Sequence, residues 1–258
     1  MSASLFINKQ VQPIIMFGKI NSFVKDIILA SRIAYLFYPL RKFLLFLSNL
    51  AALTAWIQRN KKIVEQKDFF VWKRNYAKRI NGFDFVINKF QLVNAPVTYL
   101  EFGVASGISF EWWLSHLKNQ ESVFFGFDTF EGLPEDWGLF FKKGAMAHDM
   151  KAIADSRHTF FKGIFQDTLV KAINDNKILL NSERRNIIHL DADLFSSTLF
   201  VLSQLYPFVK AGDILIFDEF NVPNHEFYAV KLFQECFYVK MKPVSALNNF
   251  YQTIFVVE

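Results

Sequence analysis

Residues 97–107 read VTYLEFGVASG, in which an apolar run ends at an acidic residue and is followed by two glycines four positions apart. Gly103 and Gly107 allow tight backbone curvature and close approach of a ligand, and Ser106 offers a hydroxyl and a backbone N–H. The spacing is neither the dinucleotide fingerprint G-x-G-x-x-G nor a phosphate-binding loop with Gly-Lys-Ser/Thr. Glu101 would repel a phosphate and attract an amino group or ribose hydroxyls. The stretch therefore predicts a nucleotide-type turn between a strand and a helix.

Short apolar runs alternate with helical patterns through the rest of the chain. This alternation requires crossover connections and indicates an α/β fold with a mostly parallel sheet covered on both faces. The predicted strands are Val97–Phe102, Val123–Phe127, His158–Phe161, Ile187–Leu190, Asp213–Phe217 and Tyr251–Val257. The predicted helices are Phe110–Lys118, Ser196–Val209 and Glu226–Phe237. We therefore expect an α/β domain over residues 81–258, preceded by a helical extension over residues 1–80.

Acidic residues follow several of these predicted strands. Asp128, Asp191 and Asp218 each come at the end of an apolar run, and Glu101, Asp193 and Glu219 stand beside them in the sequence. One such carboxylate would be read as a helix cap, but three at the carboxyl edge of a parallel sheet indicate a ligand site. Neighbouring strands lie about 4.8 Å apart, so carboxylates at adjacent strand ends can converge on one hard cation such as Mg²⁺. The sequence predicts a site with a metal at this edge.

Composition excludes several classes of protein. Of 258 residues, 52% are hydrophobic and 21% charged, which indicates a folded chain. The single cysteine, Cys236, excludes a disulfide scaffold and a cysteine-rich metal site, and it indicates a reducing, cytoplasmic setting. Residues 1–80 hold 14 Lys and Arg against 3 Asp and Glu, which leaves 15 against 21 in residues 81–258. Because no nucleic-acid-binding motif accompanies the basic excess, we expect no nucleic-acid partner.

The basic extension carries a strongly apolar segment at residues 27–57. Its uncharged run, Phe43 to Gln58, is shorter than the roughly 20 residues of a spanning helix, and it lies too far from Met1 for a signal peptide. Two interpretations stay open. Flanking lysines and arginines suit peripheral contact of residues 27–62 with an anionic membrane, at its inner face. Alternatively, the segment is a helical cap that packs on the main domain or on a second subunit.

Residues 59–80 show apolar positions spaced by threes and fours, namely Ile63, Phe69, Trp72, Tyr76 and Ile80. This spacing predicts a helix with one buried stripe. Its remaining face is basic and is expected to be solvated. That face consists of Lys61, Lys62, Lys67, Lys73, Arg74, Lys78 and Arg79.

Five ordered motifs resemble those of a known family. They are EFGV at 101–104, GFDTFEGLPEDW at 126–137, QDTL at 166–169, HLDADLFSST at 189–198 and FDEF at 217–220. The glycine-bearing turn is similar to that of class I S-adenosylmethionine-dependent methyltransferases, with Ala105 in the middle glycine position. In their order the motifs resemble the macrocin O-methyltransferase family, over residues 97–257. The resemblance implies a Rossmann-like sheet, mostly parallel with an antiparallel last strand, and magnesium-dependent methylation of sugar hydroxyls on natural products. It also implies a homo-oligomer, with N-terminal helices that help to form it.

The resemblance also implies roles for individual residues. The cofactor S-adenosylmethionine would be bound by Glu101, Gly103, Ala105, Ser106, Gly107, Asp128 and Gln166. Among these, Asp128 would accept from both ribose hydroxyls and Gln166 would contact the adenine. Mg²⁺ would be held by Asp191, Asp218 and Glu219, although the family carries Asp-Asp where this chain has Asp218-Glu219. Asp193 would be the general base that removes the proton from the acceptor hydroxyl, its other interpretation being the N-cap of the next helix.

A long aromatic segment separates two of the predicted strands. Residues 130–150 read FEGLPEDWGLFFKKGAMAHDM and are expected to close over a small-molecule acceptor as a lid, with Trp137, Phe140 and Phe141 available to stack on a ring. The acceptor is a sugar or glycoside hydroxyl by resemblance, and a catechol-like diol stays open. Two other functions stay open as well. The first is a metal-dependent glycosyltransferase that uses Asp191-Ala-Asp193, and the second is a non-catalytic scaffold tethered to a membrane or partner.

Overall fold

The computed structural model of the chain describes residues 19–137, 141–149, 152–175, 177–178, 180 and 183–258. The chain forms two compact units, residues 1–48 and 49–258. The sequence interpretation placed the boundary at residue 80. The units divide at 48 because the side chains of Asn49, Leu53 and Ile57 are buried in the larger unit.

The smaller unit is helical where it is described. Residues 19–31 form helix α1, a 3₁₀ helix spans Ile33–Leu40, and helix α2 spans Arg41–Asn60 and so continues past the unit boundary. Every described residue from 19 to 48 is exposed. Among the described residues, the helical stretch Ile33–Asn60 is long and apolar enough to cross a membrane by length and composition alone.

The predicted helix over residues 59–80 is wrong. Helix α2 ends at Asn60, the short strand β1 spans Gln66–Lys67, and a 3₁₀ turn at Tyr76–Lys78 leads into helix α3, Arg79–Phe90. The backbone between β1 and the turn is instead held by side-chain amides from the far end of the chain. Asn249 bonds both the N–H and the carbonyl of Val71, and Asn248 does the same for Asn75. Hydrogen bonds from residues far away in the sequence thus override the helix-like pattern. Trp72, which that pattern placed on a buried stripe, is 95% exposed.

In the described part of the larger unit, eight strands form one sheet. Its further strands are β2 (Val97–Phe102), β3 (Val123–Asp128), β4 (His158–Lys162), β5 (Arg185–Leu190), β6 (Ile214–Phe217), β7 (Met241–Leu247) and β8 (Gln252–Val257). The helices between them are α4 (Ile108–His116), α5 (Phe165–Asn174), α6 (Phe195–Leu205) and α7 (Glu226–Phe237). The strand order is β1-β7-β8-β6-β5-β2-β3-β4, and β8 is antiparallel to both of its neighbours. The prediction of a mostly parallel, Rossmann-like sheet with an antiparallel last strand is confirmed.

Aromatic side chains fill the core on both faces of the sheet. Alternate residues of β2 point to opposite sides, so that Tyr99 packs with Trp113 and Phe124 in one cluster. Phe102 stacks on Phe127 in the other. Because both faces are covered, the ends of β2, β3, β5 and β6 have fixed positions, and the loops that follow them form one edge.

Candidate active site

A cavity of about 530 Å³ opens at the carboxyl ends of the parallel strands. Residues from the turn after β2, the end of β3, the start of α5 and the ends of β5 and β6 line it. Those that sequence analysis singled out are Gly103, Ala105, Asp128, Gln166, Asp191, Asp193, Asp218 and Glu219. The acids at the strand ends are therefore brought together at one edge, as expected for an α/β sheet.

The turn after β2 is held closely against its two neighbouring strands. Gly103 has φ +95°, and its N–H donates to the carbonyl of Phe127 at 2.9 Å. Ala105 has φ +47°, and its N–H donates to Oδ2 of Asp128 at 2.7 Å, while Oδ1 of Asp128 accepts from the N–H of Phe130 at 2.6 Å. The Asp128 carboxylate is thus oriented by two backbone donors beside the glycine turn.

Glu101 lies behind the cavity and does not line it. Its side chain is fully buried, and it accepts hydrogen bonds from the hydroxyl of Tyr99 and from Oγ of Ser109, the latter at 2.6 Å. Since Ser109 belongs to the first turn of α4, Glu101 ties that helix to β2. Ser106 and Gly107 also stand outside the cavity lining, in the turn itself, where Gly107 caps α4 with φ +78°. The predicted contact of these three residues with a cofactor stays a prediction.

The acids after β5 and β6 form a dense cluster. Asp191, Asp193 and Glu219 each place a carboxylate oxygen within 4.8 Å of the others. Asp218 instead pairs with Arg79, whose Nη1 lies 3.0 Å from Asp218 Oδ2 and 3.5 Å from Asp191 Oδ2. The structure therefore brings the four predicted acids together. It also adds the positive guanidinium of Arg79, a residue that the sequence interpretation placed on a solvated face.

Burial makes this cluster electrostatically costly. It raises the pKa of Asp193 to about 7, and the negative charge of Asp218 contributes to the rise. It likewise raises the pKa values of Asp191, Glu219 and Glu226 well above their usual range, and neighbouring carboxylates add to each shift. Such a group of acids, with one arginine against them, needs bound protons or a further cation at neutral pH.

Among the described residues, three buried carboxylate oxygens of the cluster have no hydrogen-bond partner: Oδ1 of Asp218, Oε2 of Glu219 and Oε1 of Glu226. The first two belong to residues that the sequence assigned to a metal. Carboxylate oxygens are the ligands that Mg²⁺ prefers, and unpaired buried acceptors of this kind are costly unless a cation or a water binds them. The residues present therefore fit a hard divalent cation.

Sequence analysis missed three residues of this site. Arg79 was assigned to the solvated face of a helix that does not form. Glu226, in the first turn of α7, is fully buried and accepts from the backbone N–H of Glu219 at 3.0 Å. Tyr251 donates from its hydroxyl to Oε1 of Glu219 at 3.2 Å and lines the cavity. No local signal marks them, because each reaches the site through tertiary structure.

The segment predicted as a lid contributes aromatic residues to the cavity wall. Trp137 and Phe141 stack with ring centroids 5.0 Å apart, and the backbone N–H of Trp137 donates to the carbonyl of Phe141. Both line the cavity, as does His148, to which sequence analysis gave no role. Phe140 lies outside the described residues, and the closing motion stays a prediction.

Comparison with known proteins places this geometry in context. The model of the TylF macrocin-O-methyltransferase family matches residues 75–251. The calicheamicin methyltransferase CalS11 is similar in structure, with a TM-score of 0.56 and 16% identity over 81% of this chain and 91% of that one. The O-methyltransferase NovP aligns over 69% of this chain and 79% of its own, with 19% identity and a TM-score of 0.49. No curated protein sequence matches.

Proposed function

Because the chain belongs to the macrocin O-methyltransferase family, we propose that it transfers a methyl group from S-adenosylmethionine to a hydroxyl of a sugar, glycoside or related small molecule, with the help of Mg²⁺. One observation carries the proposal: a single cavity joins the glycine turn and Asp128 to the acid cluster at Asp191. A methyl donor and a metal-held acceptor need such adjoining sites, since methyl transfer is an in-line displacement between them.

The cofactor would bind at the β2 and β3 ends. Gly103 and Ala105 present a backbone without bulky side chains, and the oriented carboxylate of Asp128 can accept from the two ribose hydroxyls. Gln166, in the first turn of α5, also lines the cavity, where its amide can bond an adenine. S-adenosylmethionine supplies an electrophilic methyl group on a positively charged sulfur.

The metal would be held by Asp191, Asp218 and Glu219. The support is that, among the described residues, Asp218 Oδ1 and Glu219 Oε2 are buried without partners, while Arg79 donates to the other oxygen of Asp218, Oδ2, and to Oδ2 of Asp191. When bound, Mg²⁺ supplies positive charge that lowers the pKa of a hydroxyl and orients it. The hydroxyl of Tyr251 donates to Oε1 of Glu219 and so orients its carboxylate.

Asp193 would accept the proton of the acceptor hydroxyl on its carboxylate. The residue has φ +56°, so the turn after β5 directs its side chain beside Asp191 and Glu219. Burial raises the pKa of Asp193 to about 7 when no cation is bound, and a bound Mg²⁺ would lower that pKa and favour the carboxylate form that accepts a proton. Its carboxylate can thus take a proton from the hydroxyl as the oxygen attacks, and release it to solvent afterwards.

The walls of the cavity favour a ring-bearing acceptor. Trp137, Phe141 and Tyr251 contribute flat aromatic surfaces around the polar cluster, which suits the alternation of C–H faces and hydroxyls in a sugar. A glycosyltransferase that used Asp191-Ala-Asp193 would instead place a diphosphate beside several carboxylates with raised pKa values, and the family match speaks against it. A scaffold without activity would gain nothing from a cluster of buried carboxylates, which destabilises the fold.

Titration calorimetry with S-adenosylmethionine tests the cofactor assignment. We expect binding both with Mg²⁺ and with EDTA, and binding at least about 10-fold weaker in Asp128→Ala, because two ribose hydrogen bonds to a charged group are lost. Asp84→Ala removes a carboxylate from the exposed face of α3 and serves as the control with unchanged affinity. Metal-dependent binding of a nucleotide sugar, with no response to S-adenosylmethionine, would instead establish the glycosyltransferase alternative.

Replacement of Arg79 tests the charge balance of the cluster. In EDTA, Arg79→Met should lower the free energy of unfolding by about 2 kcal/mol and the melting temperature by about 4–8 °C, since two partly buried carboxylates lose their cation. Added Mg²⁺ should narrow this gap, because a divalent ion then provides the neutralising charge. Arg79→Lys keeps the positive charge, and its free energy of unfolding should lie between those of the wild type and Arg79→Met. Equal Mg²⁺-induced shifts in wild type and Arg79→Met would show that arginine and metal do not act on the same carboxylates.

A further inference from the structure

The unit at residues 1–48 exposes an unusual amount of apolar surface in its described part, residues 19–48. Leu29 is 65% exposed, Leu36 74% and Phe43 58%, and every other described residue of the unit is exposed as well. Soluble monomers seldom expose contiguous apolar patches of more than a few hundred Å². Something other than water is therefore expected to cover this surface.

The direction of the exposed side chains identifies the kind of cover. Residues 43–47 are five consecutive apolar residues in α2, each between 39% and 58% exposed. At about 100° per residue, five successive side chains point to all sides of the helix. A folded partner or a second copy of the chain would cover one stripe, whereas lipid acyl chains and headgroups can together contact side chains on several sides of a helix at the bilayer interface.

Charge and aromatic placement add a second, independent indication. Five basic residues accompany one acid, Asp26, between residues 19 and 48: Lys19, Lys25, Arg32, Arg41 and Lys42. The guanidinium of Arg41 lies 3.9 Å from the ring centroid of Tyr38, which stacks on Tyr35. Tyrosine rings beside basic side chains are typical of the headgroup layer, where the ring is half buried and the cation meets lipid phosphate.

We propose that residues 19–48 embed in the interface of a bilayer that contains anionic lipids, with Leu36 and Phe43 among the acyl chains and Arg41 and Lys42 at the headgroups. The segment lies in one leaflet. Arg32, Arg41 and Lys42 interrupt its apolar residues, and the uncharged run that begins at Phe43 has buried side chains from Asn49 on, so that less than the roughly 20 residues of a spanning helix is free to meet lipid. The proposal does not depend on the methyl-transfer reaction.

Vesicle flotation of the full chain tests it. On vesicles of phosphatidylcholine with about 30% phosphatidylglycerol, we expect about fivefold more bound protein than on phosphatidylcholine alone, because the basic residues meet anionic lipid. Leu36→Glu combined with Phe43→Glu should abolish binding to both. The matched control is Trp72→Glu combined with Tyr238→Glu, which adds the same charge at residues that are 95% and 87% exposed in the other unit and should bind as wild type.

A second pair separates charge from apolar burial. Arg41→Gln with Lys42→Gln should lose the preference for phosphatidylglycerol and keep its binding to phosphatidylcholine. All variants should keep the circular dichroism spectrum and melting temperature of the wild type, which confirms folding independently of lipid and of any cofactor. Failure to float, together with self-association that Leu36→Glu and Phe43→Glu dissolve, would show that a second copy covers the surface. Resistance to extraction with alkaline carbonate would show a spanning segment and overturn the placement in one leaflet.

Discussion

Asp191→Asn is expected to lower methyl transfer by about 100-fold or more while S-adenosylmethionine binds with unchanged affinity. Asp191 directly follows β5, and one of its carboxylate oxygens lies within 4.8 Å of carboxylate oxygens of Asp193 and Glu219. Amide oxygen is a weaker ligand for a hard cation than carboxylate, so the positive charge that lowers the hydroxyl pKa is lost. The cofactor residues Gly103 and Asp128 keep their backbone contacts, because Asp191 holds its neighbour strand through its own N–H, which the substitution leaves in place.

Turnover is measured as release of S-adenosylhomocysteine with a panel of free and nucleotide-linked sugars as acceptors. Metal binding is measured from the electron paramagnetic resonance signal of Mn²⁺. The variant should be at least as heat-stable as wild type in EDTA, since one carboxylate is removed from a cluster whose members raise one another's pKa. Loss of activity would then not reflect unfolding. Asp84→Asn makes the same chemical change on an exposed face and should be inert. Full activity of Asp191→Asn without added metal would refute the assignment of the site.

Local patterns predicted six strands of the sheet but missed β1 and β7. The apolar runs at Val97–Phe102 and Ile187–Leu190 correspond to β2 and β5, since buried parallel strands read as continuous hydrophobic stretches. Strand β7 went unpredicted because Lys242 and Pro243 interrupt its pattern, and the structure has a register shift between Pro243 and Ser245. The 59–80 segment failed for the opposite reason, because a helical spacing was present and distant asparagines determined its conformation.

The candidate site divides in the same way. Asp128, Asp191 and Asp218 could be found because each follows a strand that is visible in the sequence. The carboxyl ends of parallel strands lie at one edge of a sheet, which brings these acids together. Arg79 and Tyr251 could not be found, since they meet the acids only after α3 has packed on the sheet and β8 has paired with β6. For Glu101, the sequence identified a motif position but not the buried side chains that surround it. Two hydroxyls that surround its carboxylate decide that it faces the core.

Gly103→Ala is expected to destabilise the fold and the site together. A Cβ at this position would lie 1.9 Å from the carbonyl oxygen of Asp191 and 2.8 Å from its carbonyl carbon. Both are backbone atoms of the neighbouring strand end, so no side-chain movement relieves the contact. The residue also has φ +95°, which is unfavourable for alanine. Overpacking and backbone strain together should cost about 3 kcal/mol or more, a fall of about 6–12 °C in melting temperature for a unit of this size.

Gly212→Ala separates strain from collision. Gly212 has φ +90°, almost the same conformation, but its added Cβ would meet only the guanidinium of Arg185, at 3.6 Å. Strain alone should therefore cost about 1 kcal/mol, without effect on S-adenosylmethionine binding. Gly103→Ala should in addition weaken cofactor and Mn²⁺ binding together, because pushing β2 from β5 displaces both the turn and Asp191. Equal falls in melting temperature for the two variants would mean that the turn can move away from β5 freely. Contact between the strand ends would then not fix the glycine turn relative to the acid cluster.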